Sequence, residues 1–201
     1  RTWTYDIRDA KLFPHLKFTP NFYPIPDWRA PRENFAWDLV FFGTVHADRL
    51  KVISRISQKL PPTIRFFRFF YFQSPIMYWF RKICDSAFKD FRAEELSLKP
   101  KFGQEWESVT KEAGAILDVQ HPEQGGLTIR TLESLALGFK VVTTDPSIRE
   151  YDFYDPRQIL LIDRQDPAPL ADFLKRPNDF EVHPKIKELE LTPWLGRIFN
   201  A

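Results

Sequence analysis

Apolar residues along the chain fall into two alternating kinds of run. Short unbroken ones, such as LVFFG within residues 38–44 and AILDV at 115–119, have the continuous apolar character of strands buried on both faces. Between them lie stretches in which apolar positions recur every three or four residues. Leu50, Ile53, Ile56 and Leu60 mark one such face within 47–60, and Trp106, Val109 and Ala113 mark another within 104–113. Further strands are expected at 63–72, 95–98, Val141-Val142 and 158–162, with helices at 75–88, 127–138, 146–150 and 168–175. Strands that alternate with helices predict an α/β fold over residues 37–176: a Rossmann-like parallel sheet with helices on both faces.

The flanks have a different texture. Residues 1–36 carry Pro14, Pro20, Pro24, Pro26 and Pro31 among many aromatic side chains. Proline at this density opposes helices and interior strands. An extended segment is therefore expected, packed along its own domain or forming the end of an upstream one. Residues 177–201 are polar and proline-spaced until a closing apolar cluster that includes Leu191, Trp194 and Phe199, so this tail is expected to pack back. The chain opens on Arg1 rather than methionine, which raises the expectation of a fragment.

Composition narrows the function classes. With 201 residues, 43% hydrophobic and 28% charged, the chain suits a globular domain with appendages. A net charge of +2 is too small to argue for nucleic acid. The aromatic-basic stretch 65–82 lacks any accompanying nucleic-acid signature and is read as a core strand followed by an amphipathic helix, with a membrane-surface patch as the other reading. The lone Cys84 excludes a disulfide within the chain, and its apolar setting predicts a buried thiol in a reducing compartment. No run approaches the roughly 18 apolar residues of a membrane span. A cytoplasmic location is expected, with peripheral association at the inner face of the cell membrane as a further possibility.

Segment 115–145 is the most informative. Its order is strand, glycine loop, helix and strand, which places Gln124-Gly125-Gly126 at the carboxyl end of a parallel strand, where open α/β sheets bind ligands. The helix that follows offers unpaired N–H groups and a partial positive charge suited to phosphate. Thr128 is a helix cap or a ligand contact. Arg130, near a helix start, opposes the macrodipole unless an anion is close. Glu133 sits where a hydroxylated ligand could be met, and His121 follows a strand end. The second candidate loop is Gly43-Thr44-Val45-His46, with Arg49 one turn into the next helix; the glycine is either a simple turn or a point of close ligand approach. Four scattered histidines give no metal-ligand spacing, so no metal is expected. P-loop, dinucleotide and nucleophile-elbow motifs are all missing.

Taken together, the strand-glycine-helix near Gly43, the segment ILDVQHPEQGGLTIRTLESLALGFKVVTTD and the later YDFYDPRQILLIDR resemble the nucleotide-sugar-binding half of GT-B glycosyltransferases. The narrower resemblance is to bacterial proteins of lipopolysaccharide or capsule biosynthesis. It implies a GT-B C-terminal-type domain that uses a nucleotide-sugar as donor, with no tightly bound cofactor and no metal. The donor diphosphate would rest at the helix start, and Glu133 would bond the ribose. The acid that such proteins carry eight positions earlier is replaced here by Gly125, with Glu123 and Gln124 beside it, which argues against transferring the retaining mechanism. Implied donor contacts are Gly43, Thr44, Arg49, Gln124, Gly125, Gly126, Thr128, Arg130 and Glu133. His46 and His121 are the local stand-ins for a catalytic base, a group usually supplied by an upstream N-terminal domain. The acceptor would be a glycan or a lipid-linked glycan. A non-catalytic nucleotide-sugar-binding or interaction module is the alternative.

Overall fold

Two very short paired strands, β1 (Trp3–Thr4) and β2 (Lys17–Phe18), flank helix α1 (Ile7–Leu12) in this computed structural model. From there strands and helices alternate: β3 (Leu39–Thr44), α2 (Arg49–Lys59), β4 (Phe66–Tyr71), α3 (Pro75–Cys84), β5 (Leu96–Ser97), α4 (Gln104–Lys111), β6 (Ala115–Asp118), α5 (Ile129–Leu137), β7 (Lys140–Thr143), β8 (Ile159–Leu161) and α6 (Leu170–Lys175). Helices α7 (Pro184–Lys187) and α8 (Leu191–Asn200) follow. The structure describes residues 2–24, 27–46, 48–100 and 104–200; Pro26 and Ala47 of the expectations above lie outside them.

Strands β3 to β8 form one six-stranded sheet in the order β5-β4-β3-β6-β7-β8, with every neighbouring pair parallel. The order reverses between β3 and β6, and in doubly wound sheets a crevice opens at that reversal, outside the carboxyl ends of the strands. Side chains alternate with the period of two that the pleat imposes. Leu39, Phe41, Ala115, Leu117 and Val142 pack with α2 and α6 on one face. Val40, Ile116, Val141 and Ile159 face α4, α5 and α7 on the other. The helix expected at 127–138 is α5. Thr128 caps its start by accepting the Thr131 N–H at 3.0 Å, and Gly138 ends it at φ +89°, where a side chain would be strained. At the opposite edge of the sheet the buried Lys140 Nζ donates to the carbonyls of Phe173 at 3.1 Å and Leu174 at 3.4 Å, closing the end of α6.

The terminal segments clasp each other over α5. Tyr23 donates its N–H to Leu189 O and accepts that of Leu191, both at 3.0 Å. Trp194 Nε1 donates to Pro20 O at 2.8 Å, and Asn21 Nδ2 donates to Leu127 O at 3.1 Å.

Three expectations need correction. Residues 1–36 are not extended throughout: Asp6 accepts the Arg8 N–H at 2.8 Å and caps α1, whose sequence IRDAKL holds no proline. The helix expected at 75–88 ends at Cys84, because Asp85 adopts an extended backbone and its carboxylate caps the following 3₁₀ turn through the Ala87 N–H at 3.1 Å. Cys84 is exposed rather than buried. It lies on α3, which buries none of its residues and turns Ile76, Trp79, Phe80 and Ile83 outward, while Tyr78 packs on Phe72 and Phe88.

Candidate functional site

The strand ends at the reversal are tied together by arginine. Arg49, only 7% exposed, donates from Nη1 to Thr44 O at 2.6 Å and from Nε and Nη2 to Val119 O at 2.9 and 2.5 Å. It bridges the carboxyl ends of β3 and β6, and burial pushes its pKa down to about 10, with Arg130 adding to the shift. A Cβ at Gly43 would lie 3.1 Å from Arg49 Nη1, so this glycine clears space for the guanidinium. Arg164 makes a second tie. It pairs with Asp48 and donates from Nη1 to Gln120 O at 3.1 Å and to Thr144 Oγ1 at 2.9 Å, joining the ends of β6 and β7 to the start of α2. The bond to Arg164 holds the Asp48 carboxyl below the ordinary range.

Asp118, buried at the end of β6, organises the first turn of α5. Its Oδ2 accepts the Thr128 hydroxyl at 2.5 Å and the Thr131 hydroxyl at 2.7 Å. Its Oδ1 lies 3.8 Å from Arg130 Nη1. The Thr128 hydroxyl, donating to Asp118 and accepting the Thr131 N–H, therefore acts as the helix cap. Arg130 stacks its guanidinium 4.2 Å over the Phe42 ring, and Phe42 also stacks on Trp106 at 4.2 Å and 20°. These groups line a cleft of about 320 Å³ together with Glu133 and Trp28. Burial raises the Glu133 carboxyl pKa, and Arg130 opposes that shift. Arg130 and Trp106 cover the two faces of the Phe42 ring, so the cleft offers a ligand the Glu133 carboxylate, the guanidinium and the edges of this stack.

The glycine loop borders a different cleft. Gln120 Nε2 donates to the carbonyls of Gln124 at 2.8 Å and Gly126 at 3.1 Å, fixing the loop from within. The N-terminal segment lies directly on its glycines. A Cβ at Gly125 would stand 1.4 Å from Asp6 Oδ2, and one at Gly126, where φ is +71°, would stand 2.3 Å from Tyr5 O. Both glycines thus make room for residues 5 and 6. Beside them opens a second cleft, also of about 320 Å³, bordered by Arg8, His121, Asp145, Ser147 and Arg164.

His46 and His121 stand between these features, with ring centroids 5.0 Å apart. Burial, helped by Arg49 and His121, lowers the His46 pKa to about 4, so its imidazole is neutral at pH 7. Among the described residues its buried Nδ1 meets no hydrogen-bond partner. His121 Nδ1 accepts the Glu123 N–H at 3.2 Å, which assigns the ring proton of its neutral form to Nε2.

Most residues singled out from the sequence lie at the carboxyl ends of the strands, but they do not share one cavity, and Glu133 lies further along α5 on the sheet face. Arg130 and Glu133 line the aromatic cleft; His121, Gln124, Gly125 and Gly126 line the other. Gly43, Thr44, Arg49 and Thr128 form the framework between the strand ends. Asp118, Gln120, Asp145 and Arg164 escaped the sequence reading, although each follows or closes an apolar run that signals a strand end. Among the described residues no three His, Cys, Asp or Glu side chains converge so as to hold a metal ion, and no helix is long and apolar enough to cross a membrane.

No protein-family model matches the sequence, and no curated protein matches it. Solved structures do. The chain is similar to the apo form of the lipopolysaccharide outer core galactosyltransferase WaaB, with a TM-score of 0.58 at 12% identity, over 98% of this chain and 61% of that one. It is also similar to sucrose-phosphate synthase from Thermosynechococcus elongatus, with a TM-score of 0.59 at 13% identity, over 96% of this chain and 55% of the other. The fold is the Rossmann-like α/β fold of GT-B glycosyltransferases. The chain spans less than two-thirds of either neighbour's length.

Proposed function

We propose that the protein binds a nucleotide-sugar at the strand-end edge of its sheet, as the donor-binding part of a glycosyltransferase that delivers the sugar to a bacterial surface polysaccharide or lipopolysaccharide. The observation that carries this reading is a convergence at the point where strand order reverses: the aromatic cleft with Glu133 and Arg130, the capped start of α5, and the His46–His121 pair. Likeness to a lipopolysaccharide galactosyltransferase supports the choice of acceptor. In this reading the base enters the cleft beside the Phe42–Trp106 stack and Glu133 accepts the ribose hydroxyls. The phosphates meet the N–H groups at the start of α5 and the Arg130 guanidinium, which stabilise charge on the leaving group. His46 and His121 are the local stand-ins for the proton acceptor; with its pKa lowered to about 4, the His46 imidazole is a weak base, so an upstream domain supplies the stronger one. That domain completes the acceptor side. The outward apolar face of α3 supports peripheral contact with the cytoplasmic face of the cell membrane.

Titration calorimetry with UDP-, GDP-, CMP- and ADP-sugars tests the reading. Saturable binding of one class below millimolar concentration is expected, and failure of every class at millimolar concentration sinks it. A binding module without transfer is the second reading, favoured by Tyr5 and Asp6, which fill the space over Gly125 and Gly126. Binding without transfer by the intact protein decides for that module.

A further inference from the structure

We infer that residues 2–18 form an autoinhibitory strap: docked, they cover the glycine loop, and a nucleotide-sugar reaching that loop must displace them. The inference rests on the nucleotide-sugar reading above and adds a regulation of that same site.

The strap is the unit of β1, α1 and β2. Its residues 5 and 6 lie so close to the glycine loop that a Cβ at Gly125 would overlap the Asp6 carboxylate, and one at Gly126 the Tyr5 carbonyl. While the strap is down, no ligand group can rest on these two glycines. The N–H groups at the start of α5 attract an anion, and Asp6 sets a carboxylate against the loop that leads into them. Burial opposes ionisation of this carboxyl, but bonds from the Arg8 side chain and N–H outweigh it and hold the pKa below the ordinary range. Asp6 is therefore an anion at neutral pH. An incoming diphosphate meets both bulk and like charge.

The strap is fastened lightly. Helix α1 buries none of its residues, and β1 and β2 pair over two residues each. Tyr5, Leu12 and Phe13 remain exposed, so docking removes little apolar surface from water. The Lys11–Glu150 ion pair joins two exposed groups and contributes little in water. The firm anchor lies at the downstream end, where Phe18 packs on Tyr151 with ring centroids 6.0 Å apart and Thr19 is buried. A segment with so few buried contacts opens more readily than the sheet beside it. Docking of the strap and binding at the loop exclude each other. The measured affinity is then the intrinsic one scaled down by the fraction of time the strap is open.

Titration calorimetry of the full chain with UDP-, GDP-, CMP- and ADP-sugars compares wild type with two opened variants. Asp6→Ala removes both the cap of α1 and the carboxylate on Gly125. Lys11→Glu sets like charges against each other at Glu150 and leaves the residues on the glycines unchanged. Each variant should bind the accepted nucleotide-sugar about tenfold more tightly, the gain that follows if the wild-type strap is docked for about nine-tenths of the time. Amide exchange over residues 7–13, where Ala10 and Phe13 donate to Asp6 O and Asp9 O, follows the strap directly. A helix this short is unstable alone, so a saturating nucleotide-sugar should bring wild-type exchange up to the rate of the variants. If Asp6→Ala does not fold, Lys11→Glu carries the comparison. Variants that bind no tighter than wild type overturn the inference, as does wild-type exchange that the ligand leaves unchanged or slows; in both cases the nucleotide-sugar reading survives. Failure of wild type and both variants to bind overturns both.

Discussion

The two clefts around the glycine loop and α5 are similar in volume and differ in the side chains that line them. One contains the Phe42–Trp106 stack, with Arg130 over Phe42 and Glu133 on its lining. The other is walled by backbone, a buried carboxylate and arginines already held by acids. The contrast follows from the sheet. Phe42 and Ile116 point to the face where α4 lays Trp106 over them, whereas the second cleft is bounded by the loops beyond the strand ends, among them His121, Gly125, Gly126 and Pro146. One edge thus carries an aromatic groove between α4 and α5 and a loop-walled cleft beside glycines that residues 5 and 6 cover.

Arg49→Ala should disturb both clefts and have the largest effect. It strips donors from Thr44 O and Val119 O and leaves a void beside Gly43, so the unfolding free energy should fall by about 3 kcal/mol or more in urea titration. A variant as stable as wild type would mean that Arg49 is not what joins the strand ends. Glu133→Ala should sharpen the comparison by weakening nucleotide binding by roughly 1–3 kcal/mol with folding intact. Arg130→Ala should weaken diphosphates more than the free nucleoside, and equal losses would move Arg130 away from the phosphates. Gly126→Ala forces a side chain into a φ of +71° and against Tyr5 O. A loss of about 1–2 kcal/mol is expected, with faster proteolysis of residues 5–18; an unchanged cleavage rate would show that this segment is held elsewhere. The smallest effect is that of His46. Its folded pKa of about 4 lies below the roughly 6.5 of an unfolded histidine, so between these values the unfolded chain binds a proton that the folded chain refuses. Stability should therefore fall as pH drops from about 6.5 towards 4, and His46→Gln should flatten that slope of the thermal midpoint.

The sheet was legible because its strands are nearly continuous apolar runs, and the helices between them keep one apolar stripe. Gly138 announced the end of α5 because few other residues tolerate its backbone. The edge where the site stands could also be read, since loops after parallel strands must emerge together. The direction of individual side chains could not. An arginine beside a helix start reads as a surface residue, and nothing local indicates that Arg49, the first residue of α2, turns inward to two carbonyls. Gly125 and Gly126 signalled a close approach, but the approaching group is Asp6 and Tyr5, far away along the chain, and no local pattern encodes such a pairing. The turn at α1 was hidden by the prolines that follow it. Asp118 looked like the polar end of a strand, although it is the residue that fixes the first turn of α5.

The clasp between Tyr23 and residues 189 and 191 carries a consequence for the order of folding. Closed in an unfolded chain, it would tie off a loop of roughly 170 residues at an entropic cost near 4.5 kcal/mol, whereas once β3 is in place the slack is only about 15 residues and the cost roughly halves. The terminal segments should therefore dock after the sheet has formed, in a late kinetic phase reported by Trp194, whose ring packs at a tilt against Phe22 and whose Nε1 donates to Pro20 O. Substitutions in the clasp should then speed unfolding while leaving the folding rate almost unchanged.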